Sequence, residues 1–294
     1  MTQLARAKPT YDRRQLASQA MVASIATRTN TGCGQQSPVC IYSLCEALGV
    51  VVRFNGINME GMYQRGSPPR IHLSARRPLV RRVYNCAHEL GHHVFGHGSS
   101  IDELREDAQA STKDPKEFLV DAYAGFLLMP TLGMRRAFAV RNWDPQNATP
   151  LQMFTVACEF GVGYRTLITH LSASTGTISK KRAETLLKTQ PSDIRAGILG
   201  ATSKSPLVVA DTHNSSATMD CEIGMHVLLP LGVRIEGGAL IHERDLVGGG
   251  LFRASHSGIA RAEGPDRFAL FVRVARESYV GLAQYRHLEG GSDE

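Results

Sequence analysis

Hydrophobic and polar positions follow two different periods along this chain, and the change from one to the other divides it. Leu79, Val83, Ala87, Leu90 and Val94 recur at spacings of four, four, three and four. That is one buried face of a helix running from Pro78 to about Gly96. Helical patterning also covers 11–30, 37–49, 116–129, 131–141, 149–160, 164–173 and 177–188. Asp114-Pro115 opens the helix over 116–129 and Pro130 stops it. Before the helix at Pro78, extended runs at 50–54, 60–65 and 70–73 are separated by Asn55-Gly56 and Ser67-Pro68-Pro69 turns and predict a small sheet. Past Lys188 the chain becomes linker-like at 189–192 and 200–206. Short β-branched runs between glycine-rich turns follow, and 268–274 with 279–282 read as a hairpin. The expected architecture is α+β, with a first domain over 1–140, a helical, helix-turn-helix-like middle over 141–190 and a β-rich domain over 205–294.

Composition narrows the class. With 294 residues, 43% of them hydrophobic, the chain can bury one large core or two to three ordinary ones, which excludes a disordered polymer. Its longest apolar runs, such as 225–231, fall short of the roughly 18 to 20 residues that cross a bilayer. Asp12-Arg13-Arg14 follows the basic N-terminus where a secretory leader would have an apolar core. The expectation is a cytoplasmic protein with no membrane partner. The six cysteines form no CxxC pair and read as reduced thiols. The formal charge of +6 is uneven: +8 over 1–100, +1 over 101–200 and −3 over 201–294. Arg70, Arg76, Arg77, Arg81 and Arg82 supply much of the basicity. That run is open to two readings, a solvated or carboxylate-paired face and a guide for an acidic partner or nucleic acid.

The densest chemistry lies at His88-Glu89-Leu90-Gly91-His92. On a helix, residues i and i+4 stand one above the other, so both imidazoles reach one cation while Glu89 projects beside it. The histidines supply neutral nitrogen ligands of the kind zinc prefers, and the glutamate can take a proton from an attacking water. With 11 histidines in the chain, the chance expectation for this pattern is on the order of 0.02.

A zinc hydrolase needs a third protein ligand. A metzincin would have glycine at 95 and histidine at 98, where this chain has Phe95 and Gly98. A glutamate from a later helix is the other solution, and Glu117 fits it, with Asp121 one turn on where its carboxylate can orient a ligand histidine. Glu117 also suits a capping box begun by Asp114, so ligand and cap both stay open. Glu103, Glu106 and Asp107 are nearer in sequence but lie in a charged segment with little apolar face. Tyr84, Tyr123, His93 and His97 are the nearby oxyanion donors, each with packing as its simpler use.

The stretch Arg81 to His97 containing Ala87-His88-Glu89-Leu90-Gly91-His92, followed by Glu117 to Asp121 and Leu127-Leu128-Met129-Pro130, resembles the ImmA/IrrE-type metallopeptidase family. The resemblance implies a minimal thermolysin-like zincin. In it His88, His92 and Glu117 hold zinc, with manganese as the alternative metal, and Glu89 is the general base. It also implies an endopeptidase making limited cuts in a helix-turn-helix transcriptional repressor, in stress response or related gene regulation. Val120-Asp121 and Tyr123 depart from the alanine-asparagine and phenylalanine frequent in the family. The rival reading is a non-catalytic regulator that binds DNA or protein and uses the same fold as scaffold.

The remaining segments carry weaker signals. Residues 151–171 resemble a helix-turn-helix, with Arg165, Lys180, Lys181 and Arg182 available to phosphates, though a helical subdomain packed on the peptidase is the favoured reading. His213, Cys221, His226, His242 and His256 lack ligand spacing, and the tail reads as a sensor or docking module.

Overall fold

The computed structural model describes residues 11–102, 114–200 and 205–288. Capping explains where its first helices begin and end. Asp12 accepts hydrogen bonds from the Arg14 and Gln15 amides and starts α1 (Arg13–Asn30), while Gly49, at φ +71°, closes the turn after α2 (Ile41–Ala47). Strands β1 (Val51–Asn55), β2 (Gly61–Gln64) and β3 (Arg70–Ser74) precede α3 (Leu79–Val94). Then come β4 (Ser100–Asp102), a short strand the hydrophobic pattern did not predict, and α4 (Pro115–Leu128), capped by Asp114 through the Lys116 amide.

The helical middle comprises α5 (Thr131–Ala139), α6 (Pro150–Glu159), α7 (Tyr164–Thr169) with a π-helical continuation His170–Ser174, α8 (Lys180–Leu187) and α9 (Pro191–Leu199). The sequence read 189–192 as linker. Instead Pro191 occupies the first helical position, where its missing N–H costs nothing, and Asp193 accepts from the Gln190 amide, so the segment starts a helix. The remaining strands are β5 (Leu207–Val209), β6 (Thr218–Glu222), β7 (His226–Leu229), β8 (Arg234–Glu236), β9 (Leu240–Leu246), β10 (Gly249–Ala254), β11 (Gly258–Glu263), β12 (Ala269–Ala275) and β13 (Gly281–Leu282).

The fold is mixed α+β, with three sheets among the described residues. The first runs in the order β13, β1, β3, β2, β4, and β1 and β3 are its parallel pair. The other two, β5-β7-β10-β9 and β6-β12-β11-β8, share a core built from Val227, Leu229, Phe252, Leu270 and Val272. The expected hairpin between 268–274 and 279–282 does not form. Both edges of β12 are already taken, by β11 and by β6, and β13 pairs instead with β1 of the first sheet. The Tyr279 ring meets Phe54 edge-on at 6.2 Å and helps hold that crossing. Ion pairs add to the junction: Arg82 to Glu222 at 2.5 Å, Arg286 to Asp220 at 2.9 Å, and Arg141 to Asp211 at 2.6 Å.

Behind the first sheet, α1 packs on α4. The Arg28 guanidinium is fully buried there and donates to the carbonyls of Gly34, Ser37 and Leu127. The end of α4 is fixed from the helical middle, where His170 Nε2 donates to the Met129 carbonyl at 3.0 Å. Burial pulls the His170 pKa down from 6.5 to about 4. The folded chain therefore refuses a proton that the unfolded chain accepts, so this stability is fully present above about pH 6.5 and is lost as pH falls toward 4. Between pH 6.5 and 4.5 the loss from this one group is about 2 kcal/mol. Urea unfolding should accordingly weaken less over that interval in His170→Gln than in the parent; equal slopes would exclude the assignment.

Candidate metal centre

Where α3 crosses α4, Gly91 faces Val120 and Tyr123. A Cβ built on Gly91 would lie 2.9 Å from Val120 Cβ and 3.2 Å from Tyr123 Cδ1, so only hydrogen fits between the helices. That close approach brings Glu117, in the first turn of α4, against the two histidines on α3. His88 Nε2 stands 3.3 Å from His92 Nε2 and 3.4 Å from Glu117 Oε2. One ligand atom from each of the three residues lies within 4.8 Å of the others. Two atoms held about 2.0–2.1 Å from a tetrahedral zinc stand about 3.3 Å apart, so the spacing of this buried trio fits such an ion. The cap for α4 is supplied by Asp114, and Glu117 is directed at the histidines.

A second layer fixes the rings. Asp121 Oδ1 accepts from His88 Nδ1 at 2.8 Å, which leaves Nε2 as the inward lone pair. His92 Nδ1 meets His97 Nδ1 at 3.1 Å; with Nε2 of His92 kept for a cation, His92 donates and His97 accepts. Glu89 is fully buried and lies against β2 at Gly61, where an added Cβ would fall 2.7 Å from Glu89 Oε1. Glycine within a strand often marks such an approach, and this is the signal that the hydrophobic pattern passed over. Asn85 donates to Glu60, whose carboxylate also pairs with Arg77 at 3.2 Å and Arg81 at 2.8 Å.

The other sequence candidates have definite places. Tyr84 donates to the Asp121 carbonyl, Tyr123 donates to Thr27 Oγ1, and His93 Nδ1 bonds the Tyr63 hydroxyl at 2.9 Å. Burial pushes the Tyr84 hydroxyl well above its ordinary pKa and lowers that of His93. Three of the five clustered arginines, Arg77, Arg81 and Arg82, are committed to Glu60 and Glu222. In the helical middle, Arg165 and Arg182 donate to the carbonyls of Leu187 and Ala148, while Lys180 and Lys181 are exposed. Glu103, Glu106 and Asp107 lie outside the described residues.

Removing an outer hydrogen-bond partner of a ligand histidine commonly weakens a metal site 10–100-fold, by roughly that factor in affinity. Asp121→Ala and His97→Ala should each loosen zinc by that order in competition with a chromophoric chelator, with the fold retained by circular dichroism. Unchanged affinity in both would remove them from the site.

No curated protein matches the chain. Residues 45–172 match the family model described as the IrrE N-terminal-like domain of peptidase family M78, a segment that runs from α2 to the π-helical turn and includes α3, β4 and α4. Residues 45–172 are thus similar to an IrrE N-terminal-like domain, and the His88, His92 and Glu117 cluster lies within that segment.

Proposed function

We propose that the chain is a metal-dependent endopeptidase of the zincin type, with zinc as the metal and manganese as the alternative. The observation that carries the reading is the convergence of His88, His92 and Glu117, with Glu89, next to His88 in the chain, buried against Gly61. His88, His92 and Glu117 would hold a divalent cation there, which would supply Lewis acidity to a scissile carbonyl and to a water. Glu89 takes the proton of that water as it attacks and returns it to the departing amine. Asp121 and His97 keep the ligand rings in one tautomer and one orientation. Tyr84 and Tyr123 are engaged with other partners in this arrangement.

The substrate is a protein segment in extended form. Strand β4 is the outer strand of the first sheet, and its register sets Asp102 opposite Gly61. A peptide added along β4 would therefore run about two strand spacings, roughly 10 Å, from the strand that touches Glu89. The family likeness favours a helix-turn-helix transcriptional repressor as that protein. The helical middle supports packing rather than DNA reading, since Val162 and Tyr164 of the α6–α7 unit are buried.

Glu89→Gln separates this proposal from a scaffold regulator. The variant should keep zinc and its captured protein partner while cleavage of that partner falls by at least a thousandfold, on the order of what a lost general base and its electrostatics cost. Partners left intact by the parent chain would favour the regulator.

A further inference from the structure

A cavity of about 580 Å³ opens where α3, the α6–α7 turn and β6 meet, away from the His88 cluster. Its volume falls within the range of small-molecule sites, roughly 300–1,000 Å³. Val80 and Val83 of α3, Phe160 and Val162 of the turn, and Met219 of β6 make its walls predominantly apolar. Three acids line it and each is already neutralised. Glu159 pairs with Arg141 at 2.8 Å, Asp220 with Arg273 at 2.6 Å, and Glu222 with Arg82 at 2.5 Å.

Two of the donors are not matched in this way. Arg195, projecting from α9, has no carboxylate partner among the described residues, and its Nε is buried without a hydrogen bond. The Tyr42 hydroxyl, on a side chain only 4% exposed, is likewise buried with no acceptor. Buried donors left unmet are costly, and an occupant that brings acceptors removes that cost. The cavity thus has one uncompensated positive charge, two unmet donors, two carboxylate oxygens, Glu159 Oε2 and Glu222 Oε1, that meet only their ion-pair arginines, and an apolar wall.

We propose that this cavity is a binding site for a free amphipathic carboxylate, a medium-length acyl anion whose chain lies against Val80, Val83 and Met219 and whose head is taken by Arg195 and Tyr42. An occupant would touch α3, the helical middle and the β-rich tail at once. Val83 precedes His88 by five residues, about 7.5 Å along the helix axis. The site therefore bears on the helix that holds the cluster, but its existence does not rest on the peptidase reading.

The test is calorimetric titration of the full chain with dodecanoate below its micelle concentration, beside dodecyltrimethylammonium as the cationic counterpart of equal chain length. Dodecanoate should bind one per chain and raise the unfolding temperature, and the cation should do neither. Arg195→Gln should weaken dodecanoate about tenfold or more, and Tyr42→Phe, which removes only the hydroxyl, should weaken it several-fold. No binding of dodecanoate, equal binding of the cation, or parent affinity in both variants would overturn the proposal.

Discussion

The contact between Gly91 and Val120 governs the rest of the centre. A helix contributes two histidines to one cation by its own periodicity, but the third group has to come from another element at a distance of a few ångströms. With hydrogen in place of a side chain at 91, the backbone of α3 comes close enough to α4 for Glu117 to stand 3.4 Å from His88. Tyr123, on the same face of α4, fills the space beyond and anchors to Thr27 on α1, so the crossing is backed by a third helix. The position of the carboxylate is thus a packing result before it is a chemical one.

The same logic extends to the acid and its surroundings. Glu89 is buried because Gly61 leaves room for it on β2, and β2 is held in register by β3 and β4. Glu60, next in the chain, gathers Arg77, Arg81 and Asn85, which ties the start of α3 to that strand. At its buried face, α3 also reaches the β-rich tail through Arg82 and Glu222. Part of the basicity of the first hundred residues is in this respect internal structure: Arg77, Arg81 and Arg82, which the charge count offers to a partner, pair with Glu60 and Glu222.

Local patterns were legible and distant pairings were not. The spacing of His88 and His92 on a periodic helix is a short-range signal, and the helices around it follow from apolar spacing and caps. Glu117 is separated from His92 by a charged segment, and spacing alone leaves it between cap and ligand; the family likeness points to it, and the crossing at Gly91 sets it 3.4 Å from His88. His97 carries no helical spacing to a ligand, since it lies beyond the end of α3 and is returned to His92 by its own amide, which donates to the His92 carbonyl. The hairpin failed for a related reason. A run of β-branched residues predicts a strand, but its partner depends on which edges are free, and those of β12 are not. The helix over Pro191–Leu199 begins in proline and serine that carry a linker signal, although proline at the first helical position followed by an acid also begins helices.

The central claim is that a close helix crossing creates the metal centre, and Gly91→Val probes it directly. Zinc affinity of this variant should be measured beside the parent, with circular dichroism and thermal unfolding to show that the helices persist. A branched side chain at 91 has to push Val120 and Glu117 away, so the account predicts a folded, destabilised chain whose zinc affinity falls by at least 100-fold, to roughly that of a two-histidine site. A folded variant that binds one zinc per chain with the affinity of the parent would contradict it.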